Sequence, residues 1–191
     1  MAYDVMIDIE TTGINPFTNG ILQIAAWKFD YHTGEVGDHV DIATQLAPNR
    51  MWDESTIKWW QDSPDRLAHL QVLRRTGVPA REGFQALKDW VGNDRQGIRM
   101  WAKPSTFEYP FLQSHFTQLD IQMPFHYRYC RDINTHISAL IGDPGANTYA
   151  ITIPFEGMPH NALWDSLHDM RCLLEAKRLY GRPIQEIIKD A

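Results

Sequence analysis

The opening of the chain, YDVMIDIETTG, places two carboxylates, Asp8 and Glu10, at alternate positions near the end of an apolar run. Alternate residues of a strand share one face of a sheet, so both acids leave an otherwise hydrophobic element on the same side. Two such charges are costly unless a cation lies between them, and a divalent metal ion meets that need. The ordinary alternative is a pair of solvent-facing acids, the common state of Asp and Glu. Against it stands the context: the strand is first in the chain, strongly apolar, and followed by Thr11-Thr12-Gly13, a turn whose glycine lets the backbone approach a ligand closely. Such a strand belongs in the centre of a sheet, with its acids at the exit.

The rest of the chain supplies a sheet and helices around it. Runs from Ile21 to Phe29 and from about Val36 to Leu46 are rich in β-formers and are joined by the turn-like His32-Thr33-Gly34, which predicts an antiparallel three-strand meander. The period then changes. Asp53 or Ser55 can cap a helix with Ile57, Trp59 and Trp60, Ser63-Pro64 can start a second, and Pro79 opens a third that closes at Gly92-Asn93. Gly97 to Ala102 reads as a short buried strand, Pro104-Ser105 as the start of a helix with Phe107 and Phe111, and Tyr127 to Cys130 as another strand before a helix capped by Asp132. Residues 142–159 read as a loop, and a long helix runs from near His160 to Tyr180, with Lys177 and Arg178 where the helix dipole favours them. Strands first, then helices alternating with strands, give an α/β domain with a mixed sheet.

At 191 residues and 43% hydrophobic content the chain is expected to form one domain over residues 1–191. Its two cysteines, Cys130 and Cys172, are far apart and form no C-x-x-C pair. Acids stand where a secretory signal needs basic residues, and no segment reaches transmembrane length, so a cytoplasmic protein with no membrane partner is expected. The net charge of −6 argues against broad nonspecific nucleic-acid binding. It leaves room for an acidic pocket whose metal ions supply the positive charge.

His160 and Asp165 are spaced H-x-x-x-x-D at the start of the last helix. A histidine on a loop before a helix can reach a phosphate while the acid on the helix binds metal. With D-x-E in the first strand, and DIETTG, WAKPSTFE and HNALWD in this order, the chain resembles the DEDDh, or DnaQ-like, 3′→5′ exonuclease superfamily. The segment Thr56-Ile57-Lys58-Trp59-Trp60-Gln61-Asp62-Ser63 resembles the signature of a narrower branch that includes bacteriophage exonuclease A-like proteins, with Asp62 where that branch has Gln. The resemblance covers most of the chain.

It implies a ribonuclease-H-like fold, in which the meander and further parallel strands form one central sheet flanked by helices. It implies two divalent ions, Mg²⁺ or Mn²⁺, held by Asp8, Glu10, Glu108 and Asp165, with His160 as general base, and release of nucleoside 5′-monophosphates from single-stranded DNA or RNA 3′ ends. Thr11, Thr12 and Gly13 would border the terminal nucleotide, through backbone N–H groups and the threonine hydroxyls. Trp59 would stack a base while Trp60 packs in the core, and Phe107 serves either the core or a bound sugar or base. A homodimer is compatible with the resemblance. Glu108 departs from the family, which has Asp there; its extra methylene shifts the carboxylate, and Mg²⁺ tolerates poor octahedral geometry badly. The competing expectation is therefore a catalytically degenerate module that holds nucleic-acid ends without cutting them. Asp169, one turn after Asp165, is expected to be solvent-exposed, and Arg128 and Arg131, flanking a strand near Asp132, to pair with acids rather than to contact phosphate.

Overall fold

A computed structural model describes residues 3–95 and 97–181. Five strands, β1 (Tyr3–Thr11), β2 (Ile21–Phe29), β3 (Val36–Ala43), β4 (Ile98–Ala102) and β5 (Cys130–Asp132), form one sheet in the order β3-β2-β1-β4-β5. The meander is antiparallel, and β4 and β5 add in parallel. The apolar β1 thus lies at the centre, hydrogen-bonded to β2 on one side and β4 on the other, as a strand buried on both faces should be.

Among the described residues six helices surround the sheet: α1 (Glu54–Gln61), α2 (Pro64–Thr76), α3 (Ala80–Val91), α4 (Ser105–Gln118), α5 (Ile133–Ile141) and α6 (Ala162–Tyr180). Val5, Ile7 and Ile9 face one way and pack with Phe84, Leu87, Phe111 and Phe116 of α3 and α4. Met6 faces the other way, among Trp101, Ile133, Ile137, Met170 and Leu173 of β4, α5 and α6. Each fully buried side chain of this size contributes about 1.5–3 kcal/mol. Because Asp8 and Glu10 continue the alternation of Met6, they emerge on the α6 side.

Local chemistry sets the boundaries. Asp53 caps α1 by accepting from the N–H groups of Ser55 and Thr56, Ser63 caps α2 ahead of Pro64, and Asp132 caps α5. Two expectations change. Residues Tyr127–Tyr129 form a 3₁₀ turn, and the strand begins only at Cys130, where pairing with Met100 starts. The 142–159 loop contains a further 3₁₀ turn, Thr148–Ala150. No helix among the described residues is long and apolar enough to cross a membrane.

Candidate active site

At the exit of β1 the carboxylates of Asp8, Glu10 and Asp165 converge, with one oxygen of each lying within 4.8 Å of the others. Asp165 comes from the first turn of α6, where the helix dipole favours a negative charge. Glu108, in the first turn of α4, is buried beside them, and its Oε2 has no hydrogen-bond partner. Burial pushes all four acids up: Asp8 well above the usual carboxylate range, with Glu10, Glu108, Asp165 and Asp169 adding repulsion; Glu10 and Glu108 to about 8; Asp165 to about 6. Among the described residues no hydrogen-bond donor meets the Asp8 or Glu10 carboxylate. Converging acids, with no donor on Asp8 or Glu10 and an orphaned buried oxygen on neighbouring Glu108, fit a site for hard divalent cations.

His160 stands at the rim of this cluster, exposed, one residue before the α6 N-cap. Its φ of 59° lies in the left-handed region, which costs a side chain on the order of 1–2 kcal/mol. Its ring meets Trp59 edge-on, with centroids 4.9 Å apart at 84°, and the Arg66 guanidinium lies 4.3 Å from the centroid of the same indole. Partial burial, and then the charge of Arg66, lower its basicity below the ordinary histidine value, so the imidazole is neutral at pH 7.

The turn carrying His160 is tied to the sheet. Buried Gln23, cross-strand partner of Glu10, accepts through Oε1 from the N–H of Ala162 at 3.2 Å and donates through Nε2 to Asn161 at 3.2 Å and Asp41 at 2.7 Å. His69 of α2 shares the same Oε1 at 3.0 Å. Asn161 in turn caps α6 by accepting from the Leu163 N–H. Nothing in the local sequence around Gln23 signals this role, because its partners lie 18 to 139 positions away.

A cleft of about 460 Å³ opens beside the acids, lined by Ile9, Glu10, Thr11, Gly13, Ile14 and Trp59, with Phe107 among the remaining wall residues. Trp59 and Trp60 divide as adjacent helix aromatics should: Trp60 is fully buried and donates to the Thr11 carbonyl, while Trp59 faces the cleft. Phe107 packs against the core and also lines the cleft. Gly13 is required by close approach, since a Cβ there would collide with the Asn19 amide. Thr12 is not in the wall. It is fully buried, its N–H donates to the Gly20 carbonyl, and its hydroxyl donates to Met51 O and accepts from Gly20 N–H, each at 2.7 Å. The Thr11 hydroxyl also has an internal acceptor, the Gly13 carbonyl at 2.7 Å.

Asp169 corrects an expectation. It is 3% exposed and paired with the Lys103 ammonium, because α6 packs this face onto the sheet rather than into water. Arg131 donates to the carbonyls of Arg128 and Cys130 rather than to an acid, and Arg128 to the Tyr127 hydroxyl. A larger cavity, about 590 Å³, lies between the β2–β3 turn and the second half of α6. Its cations are already engaged: Arg171 with Glu156, Arg178 with Glu175, and Lys177 with the Tyr31 and His32 carbonyls. Size alone therefore does not mark the reactive site.

Among solved structures the chain is similar to S. pombe Pop2p in a form with Mg²⁺ and Mn²⁺ bound, at 16% identity and TM-score 0.70 over 93% of this chain and 83% of that one. It is similar to E. coli exonuclease I in a zinc-bound complex with single-stranded DNA, at 12% identity and TM-score 0.72, covering 99% of this chain but 43% of that one. It is also similar to the nuclease domain of 3′hExo, a DEDDh family member bound to rAMP, at 17% identity and TM-score 0.60 over 94% and 93% of the two chains. This chain thus spans less than half of the exonuclease I chain, and at these identities the likeness is one of fold, the ribonuclease-H-like arrangement. No curated protein matches by sequence. A family model described as a 3′-5′ exoribonuclease Rv2179c-like domain matches residues 3–176.

Proposed function

Because the chain belongs to the Rv2179c-like 3′-5′ exoribonuclease domain family, we propose that it is a metal-dependent 3′→5′ exonuclease, working as one domain in the cytoplasm, that removes nucleoside 5′-monophosphates from single-stranded RNA ends. The observation that carries this reading is the convergence of Asp8, Glu10 and Asp165 within 4.8 Å, with no donor on the Asp8 or Glu10 carboxylate among the described residues and an exposed neutral histidine at the rim. The family description favours RNA over the DNA that the sequence left open.

Asp8, Glu10 and Asp165 would hold a divalent ion, with Glu108 and Asp8 available for a second. Bound ions supply Lewis-acid stabilisation of the charge that builds on the phosphate and on the departing 3′ oxygen. His160 takes a proton from the attacking water, for which a neutral imidazole on a solvent-facing turn is suited. The new bond joins the water oxygen to phosphorus as the bond from phosphorus to the 3′ oxygen breaks, and solvent returns a proton to that oxygen. Trp59 limits the swing of the imidazole by its edge contact, and the Gln23–Asn161 bridge fixes the backbone from which His160 projects. Trp59, Phe107, Thr11 and Gly13 wall the space for the terminal nucleotide, where the indole offers a stacking face.

The test is a time course on 5′-labelled RNA and DNA of equal sequence, with Mg²⁺, Mn²⁺ or chelator, alongside Asp8→Ala and His160→Ala. A metal-dependent ladder shortening from the 3′ end, faster on RNA and lost by at least about a hundredfold in His160→Ala, is expected for a general base. Full activity in either variant would sink the mechanism. Tight binding of ends without shortening in any metal would favour the degenerate module motivated by Glu108, and restoration by Glu108→Asp would identify the cause.

A further inference from the structure

Lys103 and Asp169 lie inside the acidic centre but have no part in the four-acid scheme. Lys103 is the first residue after β4, the parallel neighbour of β1, and precedes Glu108 by five residues. Asp169 lies one helical turn beyond Asp165, so the two acids share a face of α6. The ammonium and the carboxylate are in direct contact, with side chains 29% and 5% exposed. Their charges reach the whole cluster: Lys103 lowers the basicity of Glu108 and Asp165, Asp169 raises that of Asp8, Glu108 and Asp165, and Asp8 in turn helps to keep Lys103 protonated. Burial opposes the protonated lysine, and the Asp169 carboxylate, with Asp8 and Tyr149 adding to it, more than offsets this.

The four acids are therefore not equivalent. Asp8, Glu10 and Asp165 converge, whereas Glu108 falls outside that group, keeps an unpartnered buried oxygen, and follows Lys103 on the segment that leaves β4. We propose that Lys103 is a built-in cation of the centre: held on Asp169, it supplies positive charge on the Glu108 side of Asp8 and weakens metal binding there. The centre then fills in two separate steps, first the ion held by Asp8, Glu10 and Asp165, and at higher concentration the one that includes Glu108. This rests on the metal reading of the same cluster given above.

The experiment is calorimetric titration of the metal-free protein with Mn²⁺ alone, without nucleic acid, on wild type, Lys103→Met, Lys103→Gln and Lys103→Arg. Wild type should show one tight and one weaker equivalent. Removing a unit charge that acts on Glu108 and Asp8 should tighten the weaker site by about tenfold or more in the Met and Gln variants, and Arg, which keeps the charge, should leave it unchanged. Gln retains a donor for Asp169 and covers the case in which Met does not fold. A single unresolved step of two equivalents in wild type, or a weaker step of equal affinity in the charge-free variants, overturns the proposal. No Mn²⁺ binding by wild type overturns instead the metal reading beneath it.

Discussion

Asp4 and Asp8 lie four residues apart on the same face of β1 and have opposite surroundings. Asp4 is fully buried yet accepts from Arg99 twice and from the Trp101 indole, each at 2.6 Å, and from the Tyr31 N–H at 3.0 Å. Asp8 has no such donors. Asp4→Asn should therefore destabilise the protein by about 3 kcal/mol, the low end for a broken buried pair because Arg99 keeps a quarter of its side chain in water, with urea midpoint lowered and slope unchanged. Asp8→Asn should do the reverse in the metal-free protein at pH 8, raising the melting temperature while removing its response to Mg²⁺; a loss of stability would mean that Asp8 is structural. The two acids could not be told apart by composition, but Asp8 was legible through its spacing from Glu10 and the turn that follows. Lys103 and Asp169 were not legible, because the pair joins positions 66 apart and an acid on a long helix ordinarily faces water.

The elements were legible where one period persists over many residues. The meander strands, the caps at Asp53, Ser63 and Asp132, and the last helix follow the apolar pattern closely. The Tyr127–Tyr129 segment did not, because aromatics alternating with Arg imitate a strand while the edge ladder offers them no partner. How α6 is anchored was also hidden, since Gln23 acts on residues brought near only by folding. Gln23→Leu should leave the fold intact at a cost of about 1–3 kcal/mol for the donors and acceptors stranded around it. Activity should fall mainly in kcat, because the variant loosens the turn that carries His160 while the cleft wall at Trp59 and Phe107 is untouched. A change confined to KM would assign Gln23 to substrate binding instead.

For the molecule as a whole, the carboxyl cluster makes stability depend on pH and metal together. Glu10 and Glu108 titrate at about 8 and Asp165 at about 6 in the fold, all above their unfolded values, so the folded state binds more protons across this interval. Stability must then fall as pH rises from about 4.5 to about 8, with Asp8, also raised, acting in the same direction, and the apo form is most stable in mild acid. Scanning calorimetry should show the stabilisation by Mg²⁺ growing over the same interval, with protons released on binding below pH 8. A metal-free melting temperature that climbs from pH 5 to 8 would contradict the assigned environment of these acids. The sheet order itself was only partly legible: the strand-first pattern gave an α/β domain with a mixed sheet, and the ribonuclease-H-like topology came from the ordered motifs rather than from periodicity.

The edge contact between His160 and Trp59 also makes the centre visible to light. A protonated imidazole quenches a neighbouring indole more strongly than a neutral one, and among the chain's seven tryptophans Trp59 is the one against this ring. Subtracting the emission of His160→Ala from that of the native chain across pH isolates the signal of one proton, with a midpoint below about 6.5. A nucleotide that enters the cleft and parts the two rings would brighten or shift that same emission, so occupancy and protonation can be followed without a label.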